Sequence, residues 1–187
     1  MLQQQTMLEQ NFSVINNQNQ TNYFSGTFNV KYKIDTLGSE WTQALQYEYY
    51  QYQNAQYYKN DFVSPNFRYT AGEGTSNNQK NIFLYQSDAL WKCKKSFTIE
   101  TGIKISSNYN NNSSDYLKDS GNYRYYSDVY QTNQYRYFDK IGAAYLQFSK
   151  TFFGFTLKPG LRVEITDIAG HQLYPKDTAF TIKRNDI

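Results

Sequence analysis

The chain has 187 residues and a formal net charge of +3, too little positive charge to argue for nucleic acid, and no basic stripe interleaved with aromatic residues is present. With 10 Gly and 3 Pro it is neither collagen-like nor Pro-rich, and its single cysteine, Cys93, excludes a disulfide framework within the chain. Hydrophobic residues make up 39%, but 20 Tyr and 13 Phe leave few aliphatic residues to fill a soluble core, and the mean hydropathy is −0.81.

Many Tyr with few Leu suits two settings: a ligand face on which rings stack, or the aromatic girdle of a membrane barrel. No apolar run approaches the roughly 18 residues of a transmembrane helix, a limit that does not apply to strands.

Period 2 is the informative signal. From Phe24 to Ile34 the even positions read Phe24, Gly26, Phe28, Val30, Tyr32 and Ile34, opposite Ser25, Thr27, Asn29, Lys31 and Lys33. This predicts a strand over 23–35, close to the length that crosses a bilayer when tilted. After a turn at Thr36-Leu37-Gly38-Ser39-Glu40, Trp41, Leu45, Tyr47 and Tyr49 oppose Thr42, Gln46 and Glu48, giving a second strand over 41–53. A third, 81–93, sets Phe83, Tyr85, Ala89 and Trp91 against Gln86, Asp88 and Lys92, with Leu84 and Leu90 on the polar side. A fourth, 97–109, sets Phe97, Ile99, Ile103 and Ile105 against Thr98, Glu100, Lys104 and Ser106. The fifth, 138–150, alternates Gly142, Ala144, Leu146 and Phe148 with Ala143, Tyr145, Gln147 and Ser149. In the sixth, 155–167, Phe155, Leu157, Leu161, Val163 and Ile165 alternate with Thr156, Lys158, Arg162, Glu164 and Thr166.

The expected fold is therefore all-β: an antiparallel meander of about six long strands, in three hairpins, forming part of a transmembrane β-barrel. Links at 36–40, 93–96 and 151–154 are short, whereas 54–80 and 110–137 are long and polar. Such alternation suits tight periplasmic turns and long external loops. Trp41, Trp91, Phe97 and Phe155 then fall at the periplasmic interface, and Tyr109 with the Tyr-rich stretch 47–58 at the outer one. Lys140 and Lys150 bracket the apolar face of the fifth strand, placed to snorkel at the two interfaces.

Three stretches resemble a known family. Thr101-Gly102-Ile103-Lys104 is similar to the "EAGxK" strand of the Bacteroidota outer-membrane β-barrel family of TonB-dependent-receptor-like proteins. Ala143-Ala144-Tyr145-Leu146-Gln147-Phe148-Ser149-Lys150 resembles its "AAYxxxSK" strand. Lys158-Pro159-Gly160-Leu161-Arg162-Val163-Glu164-Ile165-Thr166 resembles "xxGLRxExT", and Ala169-Gly170 follows where that family usually has a Gly. The resemblance covers 88–170 well and 22–173 loosely. It implies a large barrel closed around an N-terminal plug, taking up a nutrient with energy from the inner membrane. The plug, a TonB-box segment and most barrel strands are not found in this sequence. Met1-Leu2-Gln3-Gln4-Gln5 has neither a basic stretch nor an apolar run, so no signal peptide is expected there. The chain is expected to be a barrel fragment.

Residues with other chemistry are sparse. His171 is the one histidine and is expected in an external loop; Cys93 lies beside Lys92, Lys94 and Lys95. Neither a Ser/His/Asp set nor a zinc spacing can be built, so no catalytic residue, metal or cofactor is expected. Gly72-Glu73-Gly74 is too short for a phosphate fingerprint and is expected to be a flexible loop. Sequons at Asn11, Asn19 and Asn112 carry no weight in a bacterial protein. The inward faces bear Glu48, Asp88, Glu100 and Glu164, which as paired carboxylates would suit glycoside hydrolysis. Lys31, Lys33, Lys104, Lys158 and Arg162 share those faces, so mixed charge lining a wet lumen is the better reading.

The expected function is nutrient uptake by an outer-membrane barrel, not an enzyme, in the Gram-negative outer membrane. Its partners would be lipid, the rest of its own barrel and plug, and the TonB system. The alternatives are a soluble Tyr-rich β-sandwich that binds glycans, and a structural barrel or adhesin without transport. Alone in water the strands would expose an apolar face and open edges, so the isolated chain is expected to be insoluble.

Overall fold

The computed structural model describes residues 10–64, 66–93 and 97–186. These form one antiparallel sheet, with no helix among the described residues. Its long strands are β1 (Gln10–Lys33), β2 (Glu40–Ser64), β3 (Arg68–Cys93), β4 (Phe97–Asp119), β6 (Asn133–Phe152), β8 (Gly160–Tyr174) and β9 (Thr178–Asp186). Each pairs with the next in that order, while the short β5 (Tyr126–Ser127) adds to β4 and β7 (Phe155–Leu157) to β6. The edges of the sheet are β1 and β9, which do not pair with each other.

The expected meander is present, but its strands run much further. β1 to β4 are 24, 25, 26 and 23 residues long, about twice what a tilted strand needs to cross a bilayer. The segment 54–80, expected as a long link, is mostly the continuation of β2 to Ser64 and of β3 from Arg68. Gly72-Glu73-Gly74, expected in a flexible loop, lies inside β3. Likewise 110–119 belongs to β4, and only 120–132 forms a substantial loop, with β5 inside it. The short–long contrast in the sequence thus reflects strand length, and not loop length. These extensions are polar on both faces, so they carry no period-2 signal. Their ladder is held by the backbone and by amide side chains, as in Asn22 Nδ2 to Gln51 Oε1 (3.3 Å), Gln51 Nε2 to Asn77 Oδ1 (3.3 Å) and Gln56 Nε2 to Asn17 Oδ1 (3.0 Å).

At the opposite end the turns are tight. Between β1 and β2, Asp35 Oδ1 accepts from the amides of Leu37 and Ser39, each at 2.9 Å, and Gly38 takes φ 91°. Ser39 Oγ then accepts from the amide of Lys92 (2.8 Å), fastening this turn to β3. Between β6 and β7, Phe153 (φ 46°) and Gly154 (φ 85°) make a two-residue hairpin with both centres left-handed. The expected sixth strand is interrupted at Lys158-Pro159, because proline has no amide hydrogen for the ladder. Its carbonyl still accepts from Phe148 N (2.9 Å), and the register Lys150↔Leu157 resumes as Gln147↔Gly160. β9 is an additional strand beyond the six expected. Of the short link expected at 93–96, residues 94–96 lie outside the described residues.

Directly paired residues share a face, so the register assembles rows across the sheet. One row reads Phe28–Leu45–Tyr85–Ile105–Gly142–Ile165. Another, nearer the tight turns, reads Tyr32–Trp41–Ala89–Thr101–Leu146–Leu161. The six alternating segments therefore align into one apolar belt on one face. At its turn end Phe97 stacks on Phe148 (centroids 6.1 Å, 14° between planes), and Trp91 pairs with Ile99. At its far end lies the row Phe24–Tyr49–Asn81–Tyr109–Phe138. On β6 the belt is bounded by Lys140 over the Phe138 ring (4.8 Å) and Lys150 over the Phe152 ring (4.5 Å). Ten residues at the usual rise and barrel tilt give a belt about 26 Å tall.

Nothing in the described chain covers this belt. Phe28 is 65% exposed and Ile165 58%, while the buried hydrophobic residues are Tyr69 and Ala71, well outside it. A single layer with one uncovered apolar face suits lipid as its second layer. Leu45→Arg in the full-length protein is expected to lower stability in lipid vesicles by about 2–4 kcal/mol. Gln46→Arg, one residue along on the other face, should leave it nearly unchanged; urea titration followed by tryptophan fluorescence separates the two.

Candidate functional site on the polar face

The opposite parity brings the expected charged residues together. One row reads Lys31–Thr42–Asp88–Gly102–Tyr145–Arg162. Flanking rows read Lys33–Glu40–Leu90–Glu100–Gln147 and Asn29–Ala44–Gln86–Lys104–Ala143–Glu164. Glu48 lies further from the turns on the same face, in the row Ser25–Glu48–Ile82–Asn108–Asp139. Lys158 falls in the break between β7 and β8, where the unchanged register keeps it in phase with this face. Trp41 and Trp91 stand on the other face, and the Trp41 indole donates to Ser87 Oγ (2.8 Å). Phe155 opens β7 opposite Phe152, beside the β6–β7 turn.

Part of this charge is paired, and part accepts from neutral donors. Lys31 Nζ reaches Glu40 Oε2 at 2.6 Å, and Arg162 pairs with Glu164 at 2.5 Å. Asp88 accepts from Tyr145 OH (2.8 Å) and Gln86 Nε2 (2.7 Å), and Glu48 from Gln46 Nε2 (2.7 Å). Sequence reasoning missed Glu40, assigned to the turn, and Tyr145, placed opposite the apolar face with Ala143, Gln147 and Ser149 but given no role. The signal for Tyr145 was its parity with Arg162 and Asp88.

Tyr145 reaches Asp88 by crossing β4 at Gly102. A Cβ on Gly102 would collide with both the Asp88 carboxylate and the Tyr145 ring. The same arrangement recurs with Tyr58 over Gly72, Tyr116 over Gly74 and Phe180 over Gly170. In each case the ring belongs to the residue paired directly with the glycine. All four joints are on the polar face. The rings lie across the neighbouring strand and keep that face low in relief.

At the far end the loop 120–132 is pinned by two carboxylates. Asp119 accepts from Tyr69 OH (2.8 Å) and from the amides of Gly121 (2.9 Å) and Asn122 (3.0 Å). Tyr69 OH in turn accepts from the amide of Tyr123 (2.9 Å), and the two rings meet at 4.9 Å. Asp128 accepts from the Tyr130 amide (3.0 Å) and from Gln131 Nε2 (3.1 Å), with Lys118 Nζ at 3.6 Å. Burial pushes both carboxyls up, but these donors outweigh it and hold each below the usual 3.8. The Tyr69 phenol is pushed up to about 12 by burial and by the hydrogen bond to Asp119.

Elsewhere, His171, expected in an external loop, lies within β8, where its Nε2 is 2.7 Å from Asp177 Oδ1, and Cys93 is exposed at the end of β3. Among the described residues no group of three or more His, Cys, Asp or Glu is placed to hold a metal ion.

Residues 32–187 match the family model described as an outer membrane protein beta-barrel family. No curated protein sequence matches the chain.

The loop generates a pH prediction. Asp119 and Asp128 have lowered values, so their contribution is present above pH 3.8 and is lost as pH falls through the lower folded values. Tyr69 is raised, so its contribution is present below pH 10 and lost as pH rises towards 12. Protease cleavage within 120–132 of the full-length protein should therefore stay slow between those limits and accelerate on either side. Asp119→Asn should raise cleavage at neutral pH.

Proposed function

The chain belongs to the outer membrane protein beta-barrel family, seated in the Gram-negative outer membrane, and on that footing we propose that its sheet is wall for a TonB-dependent-receptor-like barrel that admits a nutrient. The apolar belt faces lipid and the polar face lines the lumen. The tight turns lie in the periplasm, and the extended strands with the loop 120–132 stand outside the cell. Further strands close the edges at β1 and β9, and a plug and the TonB system are the partners of uptake.

The observation that carries transport over a purely structural barrel is the relief of the polar face. Narrow barrels fill their interior with packed side chains, whereas wide ones enclose water or a plug. At belt level Gly102 is overlaid by the Tyr145 ring lying along the wall, and Gly170, Gly74 and Gly72 carry the same joint above the belt. Around Asp88, which accepts from Tyr145, Lys31 is paired with Glu40 and Arg162 with Glu164 within the wall itself. Such a surface suits a wide, wet lumen or a removable plug. Arg162 and Glu164, aligned on β8, are positioned to contact that plug.

The test is uptake by cells of the native species. Deleting the gene should abolish growth on a particular nutrient, and a protonophore should stop accumulation of that nutrient in the wild type. Reversing charge at Arg162 or Glu164 should leave assembly intact while altering uptake or detergent sensitivity. A deletion strain with unchanged growth on every nutrient tested, and only a weakened envelope or lost adhesion, would favour a structural barrel or adhesin.

A further inference from the structure

Above the belt the polar face carries aromatic residues in a repeated arrangement. Two adjacent rows read Tyr50–Lys80–Asn110–Tyr137 and Tyr52–Asn78–Asn112–Tyr135 from β2 through β3 and β4 to β6. Tyrosine pairs on β2 and β6 thus flank a floor made chiefly of asparagine, with the Tyr52 and Tyr135 hydroxyls directed outwards over the neighbouring strands. Within each pair the Cα atoms are about 7 Å apart along the strand, and the pairs are about 14 Å apart across it.

The walls are positioned from outside the floor. Tyr52 OH donates to Asn19 Oδ1 (3.1 Å), which also accepts from Asn54 Nδ2 (2.5 Å). On the other side, Phe180 lies over Gly170, the partner of Tyr137, and the Tyr135 hydroxyl leans towards the same glycine.

Charge narrows the ligand. Lys80 is the cation in these two rows, with Glu48 and Asp139 in the row beneath. The resulting field does not favour a polyanion, and no arginine fork is present for phosphate or carboxylate. Rings on two sides, amides between them and little net charge match a ligand with apolar faces and many neutral hydroxyls. We propose that this trough binds a neutral oligosaccharide on its way into the barrel. The proposal rests on the uptake reading, which makes the polar face the lumen and this level its outer mouth.

The experiment uses the full-length protein extracted into detergent micelles and fluorescence polarisation of labelled probes. The probes are malto-, cello-, xylo- and manno-oligosaccharides, with oligogalacturonate and a neutral oligopeptide for contrast. At least one neutral oligosaccharide should bind, and the contrast probes should not. Tyr50→Ala and Tyr137→Ala should each weaken that binding about tenfold. Tyr50→Phe and Tyr137→Phe, which keep the ring, should hold it within about threefold. Tyr57→Ala, on the opposite face, should have no effect. Heat-modifiable gel mobility verifies that each variant is folded.

Binding by oligogalacturonate or peptide alone, by none of the probes, or undiminished in both alanine variants overturns the trough. Oligosaccharide binding without uptake in cells leaves the trough standing and overturns the transport reading. Uptake of a nutrient that is not a glycan does the reverse.

Discussion

Everything in this structure follows from one uncovered surface. Phe28, Leu45, Ile105 and Ile165 share a row across the sheet and remain exposed, yet the described chain supplies no second layer to cover them. A soluble sheet would answer with a helix or another sheet. Lipid needs no such partner, provided that each strand satisfies its backbone against its neighbours. The pairing from β1 to β9 meets that condition apart from the two edges, the break at Lys158-Pro159 and residues 160–163 of β8, which β9 does not reach. The Trp41 indole N–H is satisfied within the sheet, by Ser87, so even this polar atom needs nothing from lipid.

With the second layer outside the protein, the polar face is free to serve the lumen. Four of its charges are paired along the wall, Lys31 with Glu40 and Arg162 with Glu164. Four of its rings, Tyr58, Tyr116, Tyr145 and Phe180, lie over glycines on adjacent strands. Where the belt ends the strands do not, because amide side chains and backbone hydrogen bonds continue the ladder into water. The pinned loop at Asp119 and Asp128 finishes that extension, and Tyr69 and Ala71 beside it are the buried hydrophobic residues of the described chain.

The belt was legible because lipid on one side and water on the other impose strict alternation. Phe24 to Ile34 shows it without exception, and the register places those residues opposite the alternating positions of β2. Where water wets both faces, alternation has no cause. The segments 10–22, 54–64, 68–80 and 110–119 therefore looked like tails and loops while being strand. In β9, Phe180 and Ile182 fall on the polar parity, paired with Gly170 and Ile168. They were invisible to a search for an apolar outer face. Of the polar-face residues, the charged ones other than Glu40 were legible by parity alone. Tyr145 was not, because its role depends on Gly102 being small and Asp88 lying two strands away, relations that exist only once three strands are in register.

The central claim is that alternate residues of the belt face lipid and water. Nitroxide labels placed singly at positions 41 to 58 of β2, in a full-length Cys93→Ser background reconstituted into vesicles, test it most directly. Collision with oxygen should peak at odd positions from 41 to 49 and collision with a water-soluble nickel chelate at even ones. Beyond about position 51 the chelate should dominate at both. An oxygen signal without period 2, or one that continues unchanged to position 58, would contradict the account.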